Sequence, residues 1–420
     1  MAACSQPPPL GPRSCSAQGF FDLPTRGQLD VLFVIDDSPG MAPVQPNLAA
    51  SLPVFMNILA NCGWEGTPDL RVGVVTGSGG GTLVDAPQSS DPVCQSARIL
   101  DGRPFLETIG RGTVNNFAGS LADAFRCLAL VGTSGSPFQA PLASARAALA
   151  TPGFLRDQAY LALIWITNQD DCSRPPGTQP FASTFECAQQ GILCNRQPPP
   201  STPTGPLAGC VSNETSSDIV PVRSYIDFLA HLKPLPGHIF TSLVAAPAEP
   251  FAVTLDAQGK PELAQSCSPP GGQPAVRLKQ LIGGFGNLGA YTTICQDSYA
   301  TALGPICQCI AAGLTRPLCV GVGPLPQLPN GAVIDPTRVD CTVELTRGQT
   351  SLGTMLACSP TGQPSGVCWA LIANSLCQSG VSALLCQNGF DPASVDKPCR
   401  DGPYELPDTV ARIECATMCP

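Results

Sequence analysis

Charged residues, histidine and tryptophan are scarce in this sequence of 420 residues. Asp, Glu, Lys and Arg together make up 13% of the chain, and there are two histidines and three tryptophans. Disordered chains combine high charge with low hydrophobicity, whereas the hydrophobic content here is 43%, so we expect a folded protein. The net charge is −9, and no run of Lys and Arg exceeds two residues. The basic footprint that nucleic-acid binding requires is therefore missing, and we expect no nucleic-acid partner.

The sequence also lacks the common catalytic motifs. It has no G-x-S-x-G nucleophile elbow, no H-E-x-x-H zinc-protease motif and no phosphate-binding loop that ends in Lys followed by Ser or Thr. A Ser-His-Asp hydrolase needs a histidine beside its nucleophile. His231 falls in a predicted amphipathic helix, and His238 falls at the start of a predicted strand. We therefore predict a non-enzymatic protein, with a hydrolase as the remote alternative.

Cysteine is the residue that the sequence has in excess. There are 22 cysteines, and none of them form a C-x2-C pair of the kind typical of structural zinc sites. Proteins of oxidising compartments use cysteine in disulfides, whereas reduced cytosolic proteins rarely do. We therefore predict disulfides, although the sequence does not determine which cysteines pair with each other. The predicted location is extracytoplasmic: an outer-membrane lipoprotein, a periplasmic protein, or a cell-surface or secreted protein.

The beginning of the sequence bears on membrane attachment. No run of 18 apolar residues is present, so no transmembrane helix is predicted. The opening Met1-Ala2-Ala3-Cys4, followed by a polar, Pro-rich stretch, resembles the end of a bacterial lipoprotein signal. Cys4 would then carry a lipid anchor, which is the only membrane contact we expect; the alternative is a disulfide between Cys4 and Cys15.

Composition divides the chain into three parts. Residues 1–27 are rich in Pro and Ser and are predicted to be a tether. Residues 28–315 are predicted to form the main domain, with a Cys- and Pro-rich insertion at residues 168–222. Because a loop of this length is unusual without function or cross-links, the four cysteines in the insertion predict cross-links. Residues 316–420 hold nine cysteines and are predicted to form a small disulfide-rich C-terminal module.

The main domain alternates predicted strands with predicted helices. The strands are continuous apolar runs rich in β-branched residues, as is typical of buried parallel strands. Strands are predicted at residues 30–36, 70–76, 160–167 and 238–245, and helices at residues 46–60, 116–130, 138–150, 225–233, 276–282 and 297–312. Strands and helices that alternate in this order predict an α/β fold with a doubly wound, mainly parallel sheet.

Polar residues follow the predicted strands at the points where ligands bind in open parallel sheets. Asp36, Asp37 and Ser38 follow the first strand, Thr133 lies in the loop that leads into an Ala-rich helix, and residues 168–171 follow the third strand. The candidate metal ligands are Asp36, Ser38, Thr133, Asn168 and Asp170.

This set resembles the von Willebrand factor A family, whose metal-ion-dependent adhesion site uses Asp-x-Ser-x-Ser, a Thr and an Asp from three separate loops. The resemblance covers about residues 28–315. The sequences that flank the motifs also resemble secreted myxobacterial proteins with this domain. It implies a Mg²⁺ site, with Mn²⁺ or Ca²⁺ as alternatives, that binds a partner's carboxylate. Gly40 replaces the second Ser and Asn168 replaces the last Asp, so two of the oxygen ligands that hard cations prefer are weakened or lost. The predicted metal binding is therefore weak or absent.

Each candidate also has a purely structural interpretation. Asp36 could hydrogen-bond the backbone of its turn, and Ser38 could be a helix N-cap. Thr133 could cap the following helix. Asp170, with its neighbour Asp171, could form an exposed turn beside a disulfide at Cys172.

Two functions are compatible with these features. The first is a binding or adhesion protein that engages a protein or polysaccharide at the carboxyl-end edge of the sheet, where the insertion at residues 168–222 would shape or cover the binding face. The second is a structural envelope or assembly component in which the metal site is vestigial.

Overall fold

A computed structural model describes most of the first 299 residues and several strands beyond them. The described ranges are residues 16–22, 28–60, 68–78, 80–89, 91–110, 112–157, 159–233, 238–296, 298–299, 318–319, 333–334, 340–347, 350–358, 367–373, 381–387 and 410–416. They belong to two compact units. One unit holds the described residues 28–299, and the other holds residues 16–22 together with those from 318 onwards.

The secondary structure consists of short strands and helices. The strands are β1 (Ser16–Asp22), β2 (Gln28–Ile35), β3 (Asp69–Thr76), β4 (Leu106–Ile109), β5 (Val114–Asn115), β6 (Tyr160–Ile166), β7 (Ile192–Cys194), β8 (Cys210–Ser212), β9 (Ile239–Ala245), β10 (Val253–Leu255), β11 (Pro261–Leu263), β12 (Gly289–Thr293), β13 (Leu318–Cys319), β14 (Val333–Ile334), β15 (Asp340–Arg347), β16 (Thr350–Met355), β17 (Val367–Ala373), β18 (Val381–Gln387) and β19 (Val410–Ala416). The helices are α1 (Gln45–Ala60), α2 (Pro92–Ser96), α3 (Leu121–Ala129), α4 (Pro141–Ala148), α5 (Thr184–Gly191), α6 (Val222–Ala230) and α7 (Val276–Gly283). Two single 3-10 turns lie at Pro39–Met41 and Gly286–Leu288.

The first unit is built on a seven-stranded sheet in the order β12-β9-β6-β2-β3-β4-β5. The five strands from β12 to β3 are parallel to their neighbours, and β4 and β5 add an antiparallel edge. The predicted mainly parallel α/β sheet is confirmed. All four predicted strands of the main domain are present as β2, β3, β6 and β9.

Helices cover both faces of the sheet, as the doubly wound prediction requires. On one face Phe33 of β2 packs against Phe55 of α1 and Phe125 of α3, with ring centroids 6.2 and 4.5 Å apart. On the other face Trp165 of β6 lies in a cluster with residues of α4, α6 and α7. Burial on both faces explains why the central strands are continuous apolar runs.

Two helices begin later than the sequence predicted. The segment predicted as helical from residue 116 enters α3 after Ser120, whose hydroxyl accepts a hydrogen bond from the Asp123 backbone N–H at 3.1 Å. The segment predicted from residue 138 enters α4 at Pro141, which suits a first helical position because proline has no N–H to leave unpaired. The helix predicted at residues 297–312 falls almost entirely outside the described residues.

The insertion at residues 168–222 is cross-linked, as predicted. Disulfides join Cys172 to Cys187 and Cys194 to Cys210. The second bond ties the ends of the antiparallel hairpin formed by β7 and β8. Short secondary structure and covalent cross-links therefore replace the large core that a segment of this kind lacks.

The second unit contains two four-stranded antiparallel sheets, β1-β19-β15-β16 and β13-β18-β17-β14. Residues 16–22 differ from the predicted tether, because β1 pairs along its whole length with β19. Cys358 and Cys368 form a disulfide in this unit.

The cysteines confirm the disulfide prediction. All 12 cysteines whose side chains the structure describes are in disulfides, which include Cys94–Cys127 and Cys267–Cys295 in the first unit. Among the described residues no helix is long and apolar enough to cross a membrane.

Candidate functional site

Asp36 lies directly after β2 at the carboxyl-end edge of the sheet and is 2% exposed. Its carboxylate accepts hydrogen bonds from the Ser38 backbone N–H at 2.8 Å and from the Thr167 hydroxyl at 2.7 Å. Burial raises the pKa of Asp36, and the hydrogen bonds from Ser38, Thr167 and the Asn168 backbone oppose that rise. The carboxyl group is thus buried, and its hydrogen-bond partners among the described residues are all neutral donors.

Ser38, Asn168 and Gln169 complete a group beside Asp36 that we call the β2–β6 cluster. The Gln169 amide nitrogen donates a hydrogen bond to the Ser38 hydroxyl oxygen at 2.9 Å. Ser38 occupies the N-cap position of the 3-10 turn, but its side chain makes no capping bond. The buried Asn168 Oδ1 has no hydrogen-bond partner.

Gly40 and Asn168, the two departures from the family motif, lie against each other. A Cβ atom at Gly40 would sit 2.6 Å from Asn168 Nδ2 and 3.3 Å from Asn168 Oδ1. The Asn168 amide therefore occupies space that a larger residue at position 40 would need. The sequence showed two separate substitutions, whereas the structure shows one coupled pair.

Asp37 belongs to a second group, the β2–β3 cluster, with Ser78 and Gln139. Its carboxylate accepts hydrogen bonds from the Ser78 hydroxyl at 2.6 Å and from the Gln139 amide nitrogen at 3.1 Å. Gln139 is 1% exposed, and its Oε1 atom has no hydrogen-bond partner. This cluster repeats the pattern of the first: a buried carboxylate, neutral donors and an unsatisfied amide oxygen.

Thr133 is half-buried in the loop that precedes α4. This loop is attached to the site by its backbone, since the Gly135 N–H donates to the Asp37 carbonyl at 2.7 Å. No hydrogen bond joins the Thr133 side chain to Asp36, Ser38 or Asn168 among the described residues. Its segment is beside the two clusters, and its predicted ligand role remains a prediction.

Asp170 is placed away from Asp36 by its hydrogen bonds. Its carboxylate accepts from the backbone N–H groups of Arg277 and Leu278, at 2.8 and 3.0 Å, which start α7. Burial raises the pKa of Asp170 to about 6. Asp170 therefore ties the insertion to α7.

Asp171 is not in an exposed turn, so the structural interpretation that the sequence suggested for this pair was wrong. It is 0% exposed and forms an ion pair at 3.0 Å with Arg277, itself 1% exposed. A neighbouring disulfide does start at Cys172, as expected. The sequence could not reveal the ion pair between Asp171 and Arg277, because the two residues lie more than 100 positions apart along the chain.

The residues present fit a divalent cation poorly. Hard cations require several oxygen ligands with charge compensation. Both Asp36 oxygens accept hydrogen bonds, the Ser38 oxygen already faces an N–H donor, Gly40 has no side-chain oxygen, and Asp170 caps a helix. Within the described part of the chain, no group of three or more His, Cys, Asp or Glu side chains is placed to hold a metal ion.

Four residues of the two clusters had no assigned role in the sequence analysis. Asp37 and Gln169 were placed at this edge but not used as ligands, Gln139 was predicted only as part of a helix, and Ser78 was not singled out. The family motif directed attention to alternate positions after β2, and it contains no signal for the residues between them. Gln139 could have been found only from its tertiary contact with Asp37, which the sequence does not reveal.

Neither histidine lies near these clusters. His238 is at the amino end of β9 and packs against Tyr160, with ring centroids 4.4 Å apart. His231 follows α6, and its Nδ1 lies 2.7 Å from the Asp227 carbonyl oxygen. Asp36 and Ser38 follow the carboxyl end of β2, so a strand length of roughly 20 Å separates them from His238.

Comparison with known proteins gives remote likenesses only. No family model matches the chain, and no curated protein matches it. Solved structures that resemble it include a von Willebrand factor type A protein from Catenulispora acidiphila, at 11% identity and a TM-score of 0.31 over 93% of this chain and 58% of that one. The pilus adhesin SpaC from Lactobacillus rhamnosus GG matches at 10% identity and a TM-score of 0.33, over 93% of this chain and 39% of that one. The pilus adhesin RrgA from Streptococcus pneumoniae matches at 11% identity and a TM-score of 0.28, over 96% of this chain and 57% of that one.

The chain thus spans between 39% and 58% of the length of these three structures. At such identities and TM-scores the likenesses carry no argument about function. The family resemblance in the sequence remains a prediction.

Proposed function

We propose that the described residues 28–299 form a non-enzymatic binding module of an extracytoplasmic protein, whose partner is a protein or a polysaccharide. The partner would engage the carboxyl-end edge of the seven-stranded sheet. The observation that carries this proposal is the excess of acceptors there: Asn168 Oδ1 and Gln139 Oε1 are buried without partners beside the Asp36 and Asp37 carboxylates. Unsatisfied buried polar atoms are costly, so their clustering favours a site that a ligand completes.

The surroundings of the clusters suit a binding face. Pro39, Gly40 and Ser134 are exposed around them, and Gln169 is half-buried. The insertion begins directly after β6 and is fixed by two disulfides. A cross-linked insertion at the rim would present a fixed surface to a partner, which limits the entropy lost on binding.

The placement of the two histidines supports a role in binding over the hydrolase alternative. A serine nucleophile at this edge would need a base within hydrogen-bond reach. Neither histidine lies there, and the Ser38 oxygen faces the Gln169 amide instead.

The extracytoplasmic location is supported by the disulfides in both units. Such cross-links persist in oxidising compartments and are rare in reducing ones. Lipid attachment at Cys4 and an accessory role for residues 316–420 belong to the same proposal; the lipoprotein interpretation of Cys4 rests on the sequence alone.

The proposal is tested by binding of the full-length chain to arrays of defined glycans and synthetic peptides. We expect at least one class of probe to bind, and Asn168→Ala to weaken that binding. Leu255→Ser, in an exposed hairpin of the same unit, serves as the control variant and should bind normally. Binding that is absent, or that is insensitive to Asn168→Ala, would favour the structural envelope role instead.

A further inference from the structure

The β2–β6 cluster combines a buried carboxyl group with an acceptor that has no donor. Asp36 is a buried carboxylate, Asn168 Oδ1 has no partner, and Ser38 offers a hydroxyl oxygen. Among the described residues, no Lys, Arg or His side chain forms an ion pair with Asp36 or with its neighbour Asp37. Such a group of acceptors, in a low-dielectric setting, favours a ligand that brings both positive charge and hydrogen-bond donors.

A nitrogen donor already occupies part of this cluster. The amide nitrogen of Gln169 lies 2.9 Å from the Ser38 oxygen, and among the described residues this is the only hydrogen bond of the Gln169 side chain. The amide is neutral, so it satisfies Ser38 without compensating Asp36. A half-buried side chain held by one hydrogen bond can be displaced at low cost by a charged donor that makes several.

The coupled pair beside it sets the kind of cation that fits. Gly40 supplies no oxygen ligand, and the space beyond its Cα is filled by the Asn168 amide. A divalent cation would therefore find one carboxylate and neutral oxygens, short of the charge that it requires. An ammonium group carries a single charge and three N–H donors, of which one could reach Asn168 Oδ1 and another the Ser38 oxygen once the Gln169 amide is displaced.

We infer that the β2–β6 cluster binds a primary ammonium group in place of a divalent cation, with Asn168 Oδ1 and the Ser38 hydroxyl as acceptors and Asp36 as the counter-charge. The inference rests on the proposed binding function and names its ligand chemistry. Two sources carry this group: a lysine side chain of a protein and the amino sugar of a deacetylated polysaccharide. The recognition would be opposite in sign to that of a metal site, which takes a partner's carboxylate.

The experiment measures binding of matched probes to the full-length protein by titration calorimetry. The probes are a short neutral peptide with one lysine, the same peptide with acetylated lysine, a chitosan oligosaccharide, and its acetylated counterpart. We expect the ammonium form of at least one pair to bind about tenfold or more tightly than the acetylated form, because hydrogen bonds to charged groups are the strong ones. The pair that shows the difference identifies the source.

Variants separate this site from the general attraction of a polycation to an acidic protein. Asp36→Asn should remove the preference for the ammonium form. Asp157→Asn, which removes the same charge from an exposed residue at the other end of the sheet, should retain it. Gln169→Ala frees the Ser38 oxygen and should tighten ammonium binding several-fold, a result that does not depend on the folding of the Asp36 variant.

Several outcomes would overturn the inference. Equal losses in Asp36→Asn and Asp157→Asn would reduce the effect to net charge. Weaker ammonium binding in Gln169→Ala would contradict the displacement of the Gln169 amide. A melting shift with Mg²⁺ that Asp36→Ala abolishes would show that the cluster binds a divalent cation instead. A neutral glycan that binds in an Asn168-dependent manner would also reject the ammonium ligand while leaving the proposed function intact.

Discussion

The two ends of the parallel sheet bury charge in different ways. At the amino end, Asp30 is 0% exposed and is surrounded by the cations of Arg156 and Lys233, a group that we call the amino-end cluster. At the carboxyl end, Asp36 is almost equally buried but has only neutral partners among the described residues. The difference separates a buried carboxyl group that is paired with cations from one that is not.

The amino-end cluster is well satisfied. The backbone N–H and the Nε of Arg156 both donate to the Asp30 carboxylate at 2.8 Å, and the guanidinium also reaches the Leu29 and Asp69 carbonyls. The Lys233 ammonium lies 3.6 Å from Asp30. These bonds connect the starts of β2 and β3 to the segment before β6, so the cluster fixes the framework from which the carboxyl-end loops emerge.

The largest effect should come from breaking the amino-end cluster. Asp30→Asn removes the carboxylate that the buried Lys233 and the half-buried Arg156 share, and should lower the free energy of unfolding by about 3–5 kcal/mol. Chemical denaturation would measure it. Asp36→Asn is the matched change at the other end and should cost less, about 1–3 kcal/mol, because one buried donor loses its acceptor but no cation is left without a counter-charge. Equal losses from the two variants would remove the distinction between the two ends.

A smaller effect should appear in the pH dependence of stability. Burial lowers the pKa of Lys233 below its ordinary value of 10.5, while Asp30 opposes that shift. Between the lowered value and 10.5 the unfolded chain binds more protons than the folded one, so stability attributable to Lys233 rises with pH in that window. Denaturation midpoints of the wild type and of Lys233→Met, compared from neutral to alkaline pH, should diverge in this direction. Parallel curves would show that Lys233 gains enough from Asp30 to offset its burial.

Sequence patterns predicted the sheet well because its strands are long, apolar and buried on both faces. The runs that became β2, β3, β6 and β9 have few alternatives, and the connections between them impose parallel order. The same reasoning failed for residues 16–22, because the pairing of β1 with β19 spans almost the whole chain. The sequence around these residues is rich in Pro and Ser, and it gives no signal of a partner strand nearly 400 residues away.

The candidate site was predicted only at the level of which loops meet. Asp36, Ser38 and Asn168 do lie together, because they follow the adjacent parallel strands β2 and β6. Their partners could not be predicted, since side-chain orientation decides them: Asp170 turns to α7, and Gln169 turns to Ser38. A motif reports residue types at intervals, whereas hydrogen bonds depend on directions that only the folded chain fixes.

The smallest effect tests whether Gly40 and Asn168 act as a pair. Gly40→Ala should cost about 1 kcal/mol or less, because its new methyl meets the movable end of the Asn168 side chain at 2.6 Å. In an Asn168→Ala background that contact is gone, so the same substitution should be neutral or slightly stabilising. Denaturation of the four variants of this cycle should give a coupling energy of about 0.5–1 kcal/mol. Gly205→Ala, where a Cβ would meet nothing within 4 Å, gives the cost of the substitution itself. Strict additivity would mean that positions 40 and 168 are not energetically coupled, and that position 40 could accept a larger side chain without any change at position 168.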